Sequence, residues 1–149
     1  MKLKKLAALL CALMLCLSGM AASAENATAE KGDIDMQMMI GETPVTVAWE
    51  DNASVEALKA LAAEGLTIEM SMYGGFEQVG SIGQSLPRDD QQTTTTSGDI
   101  VLYSGNQLVV FYGSNSWAYT RLGHITDQTP EQMKALLGSG DVTITLSLK

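Results

Sequence analysis

Apolar and polar residues alternate along several stretches of the chain, with the period of β-strands that bury one face. The first stretch is DIDMQMMI, residues 33–40, and the second is TPVTVAWE, residues 43–50. Gly41-Glu42 lies between them and predicts a hairpin. The closing DVTITLSLK, residues 141–149, predicts a final strand of the same kind. The residues expected to face the core in the first two stretches are Ile34, Met36, Met38, Ile40, Val45, Val47 and Trp49.

Two other stretches have the helical period. In ASVEALKALAAEG, residues 53–65, apolar residues recur every three or four positions, and Gly65 is a typical helix stop. These apolar residues are Val55, Leu58, Leu61 and Ala62. The run Thr129-Pro130-Glu131-Gln132 has the pattern of a capping box with proline at the first helical position. It predicts a second helix that ends near Leu137.

The middle of the chain predicts four more strands and one long irregular segment. Ile68, Met70 and Met72 alternate and predict one strand. DIVLYS and QLVVFYG predict a hairpin around Gly105-Asn106, and RLGHI, residues 121–125, predicts a short strand. The polar, glycine-rich residues 75–99 predict a long loop that contains at most a short hairpin.

Seven or eight short strands and two short helices place the chain in the mainly β class. Because the alternating strands have one polar face, we expect the sheet to bury its apolar face by closing into a barrel that the helices cap. The predicted elements occupy residues 33–149, a length that suits one domain.

The first 24 residues have the composition of a secretory signal peptide. Three lysines precede the apolar run of residues 6–17, and Ala22-Ser23-Ala24 predicts cleavage between Ala24 and Glu25. The run is shorter than the roughly 20 residues that a stable membrane anchor needs. We therefore expect a secreted or extracytoplasmic protein, periplasmic if the cell has an outer membrane. Residues 25–32 would be a flexible leader, with no membrane anchor after cleavage.

Charge and cysteine content exclude several classes of function. The predicted mature chain keeps six basic and seventeen acidic residues, a net charge of −11, which opposes binding to nucleic acid or anionic lipid. Both cysteines, Cys11 and Cys16, lie in the signal peptide, so the mature chain can form neither a disulfide nor a cysteine-ligated zinc site. The chain carries no recognisable metal-ligand spacing or phosphate loop, and we expect no cofactor.

Five methionines cluster at two places in the sequence, residues 36–39 and 70–72. Thioethers are soft ligands that bind Cu(I), which is one interpretation. The other interpretation is core packing. Met36 and Met38 share a strand face with two isoleucines, and Met70 and Met72 share a face with Ile68. The alternation favours core packing.

Aromatic residues and one arginine are concentrated between residues 112 and 121. Trp117, Tyr119 and Arg121 share a face in strand register, and Tyr112 precedes them. Such a face suits recognition of a carboxylate or carbonyl beside an apolar group. The alternative is that Arg121 pairs with a carboxylate at the core edge while the rings cover a barrel end. The single histidine, His124, has no recognisable catalytic partners and is expected to be structural.

A combination of short motifs between residues 80 and 125 carries a family resemblance. The motifs are Leu86-Pro87, Ser97-Gly98-Asp99-Ile100 before a strand, and Arg121-Leu122-Gly123. Together they resemble the cyclophilin-like domains of bacteria, a family distinct from the prolyl isomerases, over roughly residues 34–148. The resemblance implies a closed cyclophilin-like β-barrel with two helices and no general activity.

The motif of the prolyl isomerases is absent, because residues 76–79 lack the expected Met and Asn and no Phe follows Arg121 at the expected distance. We expect binding of a small molecule or peptide, in a cleft between the loop of residues 74–87 and the segment of residues 112–121. Gln78 and Pro87 would contribute to that cleft. A weak prolyl isomerase that uses Arg121, or an accessory to a flavodoxin-like electron carrier, are the alternatives. The oligomeric state stays open.

Overall fold

The computed structural model describes residues 35–149. The predicted signal peptide with its cleavage site at Ala24-Glu25, both cysteines, the predicted leader and Ile34 lie outside the described residues. Within residues 35–149 the chain forms eleven β-strands and two α-helices. The prediction of a mainly β fold with two helices is therefore confirmed.

Four strands form the first sheet: β1 (Met36–Ile40), β2 (Thr43–Val45), β4 (Leu66–Glu69) and β11 (Thr143–Leu148). They lie in the order β2-β1-β11-β4, and every pair is antiparallel. β1 and β2 form the predicted hairpin. β1 also pairs along its whole length with β11, which joins the two ends of the described chain.

Seven strands form the second sheet. They are β3 (Val47–Trp49), β5 (Ser71–Tyr73), β6 (Glu77–Ser81), β7 (Gln91–Thr94), β8 (Asp99–Tyr103), β9 (Gln107–Phe111) and β10 (Ser116–Ile125). Six of them lie in the order β3-β10-β8-β9-β6-β5, and β7 pairs with β10. The predicted hairpin of β8 and β9 is confirmed.

The chain passes from the first sheet to the second sheet twice, each time at a single residue. Thr46 separates β2 from β3, and Met70 separates β4 from β5. The Thr46 N–H donates to Asp127 Oδ1 at 3.0 Å, and the Met70 N–H donates to the Val142 carbonyl at 2.8 Å. Both crossings are therefore held by hydrogen bonds from outside the strand ladders.

The expected closed barrel is wrong for residues 35–149. Their strands pair into two separate sheets, because the pairing partners change at Thr46 and Met70 and neither ladder continues across. The crossings also interrupt the side-chain alternation. Met72 is consequently exposed, and the prediction that it shares a buried face with Ile68 and Met70 is wrong.

Both predicted helices are present, α1 (Ala53–Ala62) and α2 (Pro130–Leu137). The side chain of Asn52 caps α1 by accepting a hydrogen bond from the Val55 N–H at 2.9 Å. The capping box of α2 is confirmed by two reciprocal hydrogen bonds between Thr129 and Gln132, at 2.8 and 3.2 Å. Side-chain oxygens thus satisfy N–H groups that have no partner within the helix.

The main core includes buried residues of both sheets and both helices, among them Met38, Leu58, Ile100, Met133 and Ile144. Met36 and Met70 belong to it as well, so core packing is the correct interpretation for three of the five clustered methionines. A second, smaller cluster lies on the other face of the second sheet, where alternate residues of β8 and β9 point away from the main core. Its buried members are Val101, Val109, Phe111 and Tyr119.

The long loop predicted for residues 75–99 is wrong, because β6 and β7 lie within it. β6 is an interior strand that pairs with both β5 and β9. A Cβ atom at Gly80 of β6 would lie 2.5 Å from the Glu69 carbonyl oxygen, so only glycine lets β6 pass this close to the end of β4. The glycines that suggested a loop therefore include one that close strand packing requires.

Candidate functional site

The strand β10 is ten residues long, whereas the sequence predicted only residues 121–125. Its first four residues pair with β7, and its later residues pair with β8 and β3. β9 and β10 both lie antiparallel to β8, so they run parallel to each other and need a crossover connection. Because residues 116–119 of β10 pair with β7 and not with β8, this half of the strand leaves the ladder with β8. It lies beside the smaller cluster on the outer face of the second sheet.

Tyr119 is the last residue of β10 that pairs with β7, and its ring packs on the outer face of the second sheet. Its ring centroid lies 5.7 Å from that of Phe111 and 6.1 Å from that of Tyr103, both in edge-to-face arrangements. Burial raises the pKa of the Tyr119 phenol, and the hydroxyl accepts a hydrogen bond from Asn115 Nδ2 at 2.8 Å, which opposes the shift. Tyr119 contributes to the walls of two clefts, which we call the aromatic cleft and the polar cleft.

The aromatic cleft has a volume of about 410 Å³. Five strands and the residue just before β10, Asn115, supply its walls. The lining residues are Tyr73, Glu77, Val79, Tyr103, Gln107, Val109, Asn115, Trp117 and Tyr119. Trp117 and Tyr73 remain 56% and 65% exposed, although both are large and apolar in part. A concave surface of this size with aromatic walls and a few polar groups has the composition of a small-molecule site.

Glu77 contributes the one acidic or basic side chain among the residues that line the aromatic cleft. The residue is 6% exposed, and its Oε2 atom is buried without a hydrogen-bond partner in residues 35–149. Burial raises the pKa of this carboxyl from 4.5 to about 7. Buried polar atoms nearly always have a partner in folded proteins. Within residues 35–149, Gln78 Oε1 and Ser97 Oγ also lack one, but of these three residues only Glu77 lines the aromatic cleft.

The polar cleft is larger, about 550 Å³, and lies between the start of α1, residues 87–94 and β10. Its two cations, Arg88 and Arg121, are both paired. Arg88 forms an ion pair with Asp90, and Arg121 Nη1 lies 3.5 Å from Asp99 Oδ2. The protein therefore matches both cations of this cleft, whereas its lining carboxyls, Glu50 and Asp89, form no ion pair within residues 35–149.

Asp99 is the centre of a hydrogen-bonded group behind the polar cleft. It is 4% exposed and accepts a hydrogen bond from the Thr96 N–H at 2.8 Å. His124 Nδ1 lies 2.8 Å from Asp99 Oδ1, on the opposite side from the contact with Arg121. Both carboxylate oxygens thus have partners. This arrangement matches the alternative in which Arg121 pairs with a carboxylate at the core edge.

The residues predicted for one cleft are divided among several places. Trp117 and Tyr119 line the aromatic cleft, while Tyr119, Arg121 and Pro87 line the polar cleft. Tyr112 packs half-buried against the main core and lines neither cleft. Gln78 is fully buried, because strand alternation directs it away from Glu77. Its amide donates to the Leu137 and Gly140 carbonyls at 2.7 and 2.8 Å, which ties β6 to the end of α2.

Sequence reasoning missed Glu77 because it treated residues 75–99 as a loop. In β6, Glu77 and Val79 face the aromatic cleft while Gln78 and Gly80 face the other way. The signal that could have identified Glu77 is this short alternation directly after Gly74-Gly75. A strand assignment would have placed one carboxyl on the same face as Val79.

In the described part of the chain, no three His, Cys, Asp or Glu side chains gather in a way that could hold a metal ion. Neither helix of residues 35–149 is long and apolar enough to cross a membrane.

Comparison with known proteins gives a family. The model of the cyclophilin-like family matches residues 38–147, nearly the whole of the described chain. The chain belongs to the cyclophilin-like family. No match was found among curated proteins or among solved structures. The match spans all of the strands that line both clefts of this cyclophilin-like chain.

Proposed function

We propose that this cyclophilin-like protein is secreted and binds a small molecule, or a side chain of a peptide, in the aromatic cleft. The predicted signal peptide and the acidic mature chain support an extracytoplasmic location. The proposal is binding, because the aromatic cleft combines partly exposed rings with a single carboxyl.

One observation carries the proposal: the outer face of the second sheet is apolar but incompletely covered. Tyr119 buries Val101, Val109 and Phe111, yet the neighbouring Trp117 and Tyr73 are left facing solvent around the same concavity. Exposed aromatic side chains that converge on one cleft are typical of binding sites and not of ordinary surface.

The polar cleft is the weaker candidate although it is larger. Its arginines are paired with Asp90 and Asp99, and Thr120 Oγ1 donates to Asp90 Oδ1 at 2.8 Å. A ligand there would have to displace interactions that hold residues 87–94 in place. For the same reason we do not favour a prolyl isomerase that depends on Arg121, because its guanidinium is engaged by a buried carboxylate.

The experiment is chemical-shift mapping with protein purified from cells that express the full sequence. Three probes that share a benzyl group and differ in charge are titrated: benzyltrimethylammonium, benzyl alcohol and phenylacetate. We expect at least one to shift backbone signals of residues lining the aromatic cleft, with Kd in the millimolar range or below. Trp117→Ala should weaken that probe, whereas Met39→Ala, which removes an exposed apolar side chain on β1, should not. No shift at the cleft with any probe would refute the proposed function.

A further inference from the structure

We infer that the aromatic cleft is selective for a small organic ammonium ion, with Glu77 as its counter-ion and the surrounding rings as its walls. This inference rests on the proposed function and narrows it to one class of ligand. Three independent features of the cleft support it, namely its charge, its unused hydrogen-bonding group and the chemistry of its walls.

The charge of the cleft has one sign. None of its lining residues is a lysine, arginine or histidine, and Glu77 is the single carboxyl. A ligand anion would therefore face an acidic group without any compensating cation. A ligand cation would find a counter-charge that no side chain of residues 35–149 satisfies. Electrostatic complementarity favours the cation.

The unused oxygen of Glu77 strengthens this argument. Leaving a buried carboxyl without a partner costs stability, and a ligand cation in the cleft recovers part of that cost because its charge stabilises the ionised carboxyl. Asp99 shows the opposite arrangement on the same sheet, since both of its oxygens are already in use. Of these two buried carboxyls, Glu77 is therefore the one that lines the aromatic cleft and has an oxygen without a partner among residues 35–149.

The walls of the cleft are the side chains that best attract cations. Tyr73, Tyr103, Tyr119 and Trp117 present electron-rich rings, which attract ammonium groups through cation–π interactions. A volume of about 410 Å³ accommodates an ammonium group with several carbon substituents and not a bulky ligand. Rings together with a carboxylate favour a substituted ammonium over a bare inorganic cation, which needs several oxygen ligands.

The inference includes a dependence on pH. The other titratable side chains that line the cleft with Glu77 are the phenols of Tyr73 on β5, Tyr103 on β8 and Tyr119 on β10. β9 contributes Gln107 and Val109, which do not titrate. Burial raises the pKa of Glu77 to about 7, so the carboxyl is mostly neutral at pH 6 and mostly ionised at pH 8. Binding of a permanent cation should therefore strengthen as pH rises and release a proton to solvent.

The test compares the three probes described above. We expect benzyltrimethylammonium to bind in the cleft about tenfold more tightly than benzyl alcohol at pH 8, with phenylacetate weakest. Its affinity should rise about fivefold between pH 6 and pH 8, because binding lowers the pKa of Glu77 by about one unit. The affinity of benzyl alcohol, which carries no charge, should change little over the same range.

Two variants separate charge from shape. Glu77→Gln keeps the size of the side chain and should abolish both the preference for the cation and its pH dependence. Glu64→Gln makes the same chemical change at an exposed position after α1 and should leave both unchanged. Trp117→Ala adds a second variant that does not endanger the fold, because Trp117 is largely exposed.

The outcomes distinguish the two proposals. If benzyl alcohol or phenylacetate binds in the aromatic cleft as tightly as the cation, the cleft is a binding site and the inference about charge is wrong. The inference is equally wrong if the cation binds there without dependence on pH or on Glu77. If no probe reaches the cleft, the proposed function fails, and the inference fails with it.

Discussion

Two buried carboxyls on the outer face of the second sheet have opposite surroundings. Asp99 is 4% exposed and Glu77 is 6% exposed, so their burial is nearly equal. Asp99 is surrounded by Thr96, Arg121 and His124, whereas Glu77 Oε2 has no partner among residues 35–149. The comparison teaches that burial of an acid does not by itself indicate function. What distinguishes the two sites is whether other residues of the protein supply partners to both oxygens of the carboxyl.

The two clefts differ in the same way. The polar cleft is larger, but both of its arginines are paired with carboxylates and its hydrogen bonds hold the chain between Pro87 and Thr94. The aromatic cleft is smaller, and it has partly exposed rings and a carboxyl oxygen without a partner among residues 35–149. Tyr119 lies between them and is the residue on which both depend.

The largest effect is expected at Tyr119. Tyr119→Ala should lower the free energy of unfolding by about 3–5 kcal/mol, because it empties the centre of the smaller cluster between Phe111 and Tyr103. Tyr119→Phe should cost only about 1 kcal/mol, the value of the hydrogen bond from Asn115. Urea unfolding followed by circular dichroism measures both. Equal losses in the two variants would contradict the packing role.

Removal of the satisfied acid should be the next most damaging change. Asp99→Ala leaves the Thr96 N–H, Arg121 and His124 without their shared acceptor, and should cost about 2–3 kcal/mol. Benzyltrimethylammonium binding should remain within about twofold of wild type, since Asp99 does not line the aromatic cleft. A stable Asp99→Ala protein that no longer binds the cation would reverse the roles assigned to the two acids.

Removal of the unpartnered acid, Glu77, should raise the free energy of unfolding at high pH, whereas removal of Asp99 lowers it. Because the folded pKa of Glu77, about 7, lies above the ordinary value of 4.5, the folded state holds this proton more tightly than the unfolded state. Its contribution to stability is present below pH 4.5 and is lost as pH rises towards 7. Replacing Glu77 by Gln removes this loss, so the free energy of unfolding of Glu77→Gln relative to wild type should be roughly 3 kcal/mol higher at pH 8 than at pH 4. Thermal unfolding at both pH values tests this, and a loss of stability at pH 8 would refute it.

The smallest effect is expected at Arg121. Its guanidinium is 43% exposed and its contact with Asp99 is long, so Arg121→Ala should cost less than about 1 kcal/mol. Binding at the aromatic cleft should not change, because Arg121 lines the polar cleft. Affinity measured by the same probe titration provides the check. A tenfold loss of affinity would contradict the assignment of the binding site to the aromatic cleft and would favour the polar cleft.

The sequence was most informative where local rules determine structure. The capping box at Thr129 and the hairpin of β8 and β9 follow from turn and cap chemistry, and both were predicted correctly. Alternation correctly identified the buried face of β1. It failed after Met70, because a crossing between sheets shifts which residues face the core, and no local signal marks such a crossing.

The candidate site was only partly predictable for a related reason. Trp117, Tyr119 and Arg121 were identified by their residue types, but a partner change along β10 divides them between two clefts. Glu77 was missed because glycines concealed the strand that carries it. Gly80 is glycine to permit close packing against β4, and composition alone does not distinguish that role from a loop.

The most direct test of the account is the ionisation of Glu77 itself, followed through its side-chain carboxyl carbon by NMR between pH 3 and pH 9. We expect a pKa of about 7 in the free protein, against an ordinary value of 4.5. Saturation with benzyltrimethylammonium should lower that pKa by about one unit, because the bound cation stabilises the carboxylate. A pKa near 4.5 in the free protein, or no change on binding, would contradict the claim that the aromatic cleft holds an unsatisfied acid for a cationic ligand.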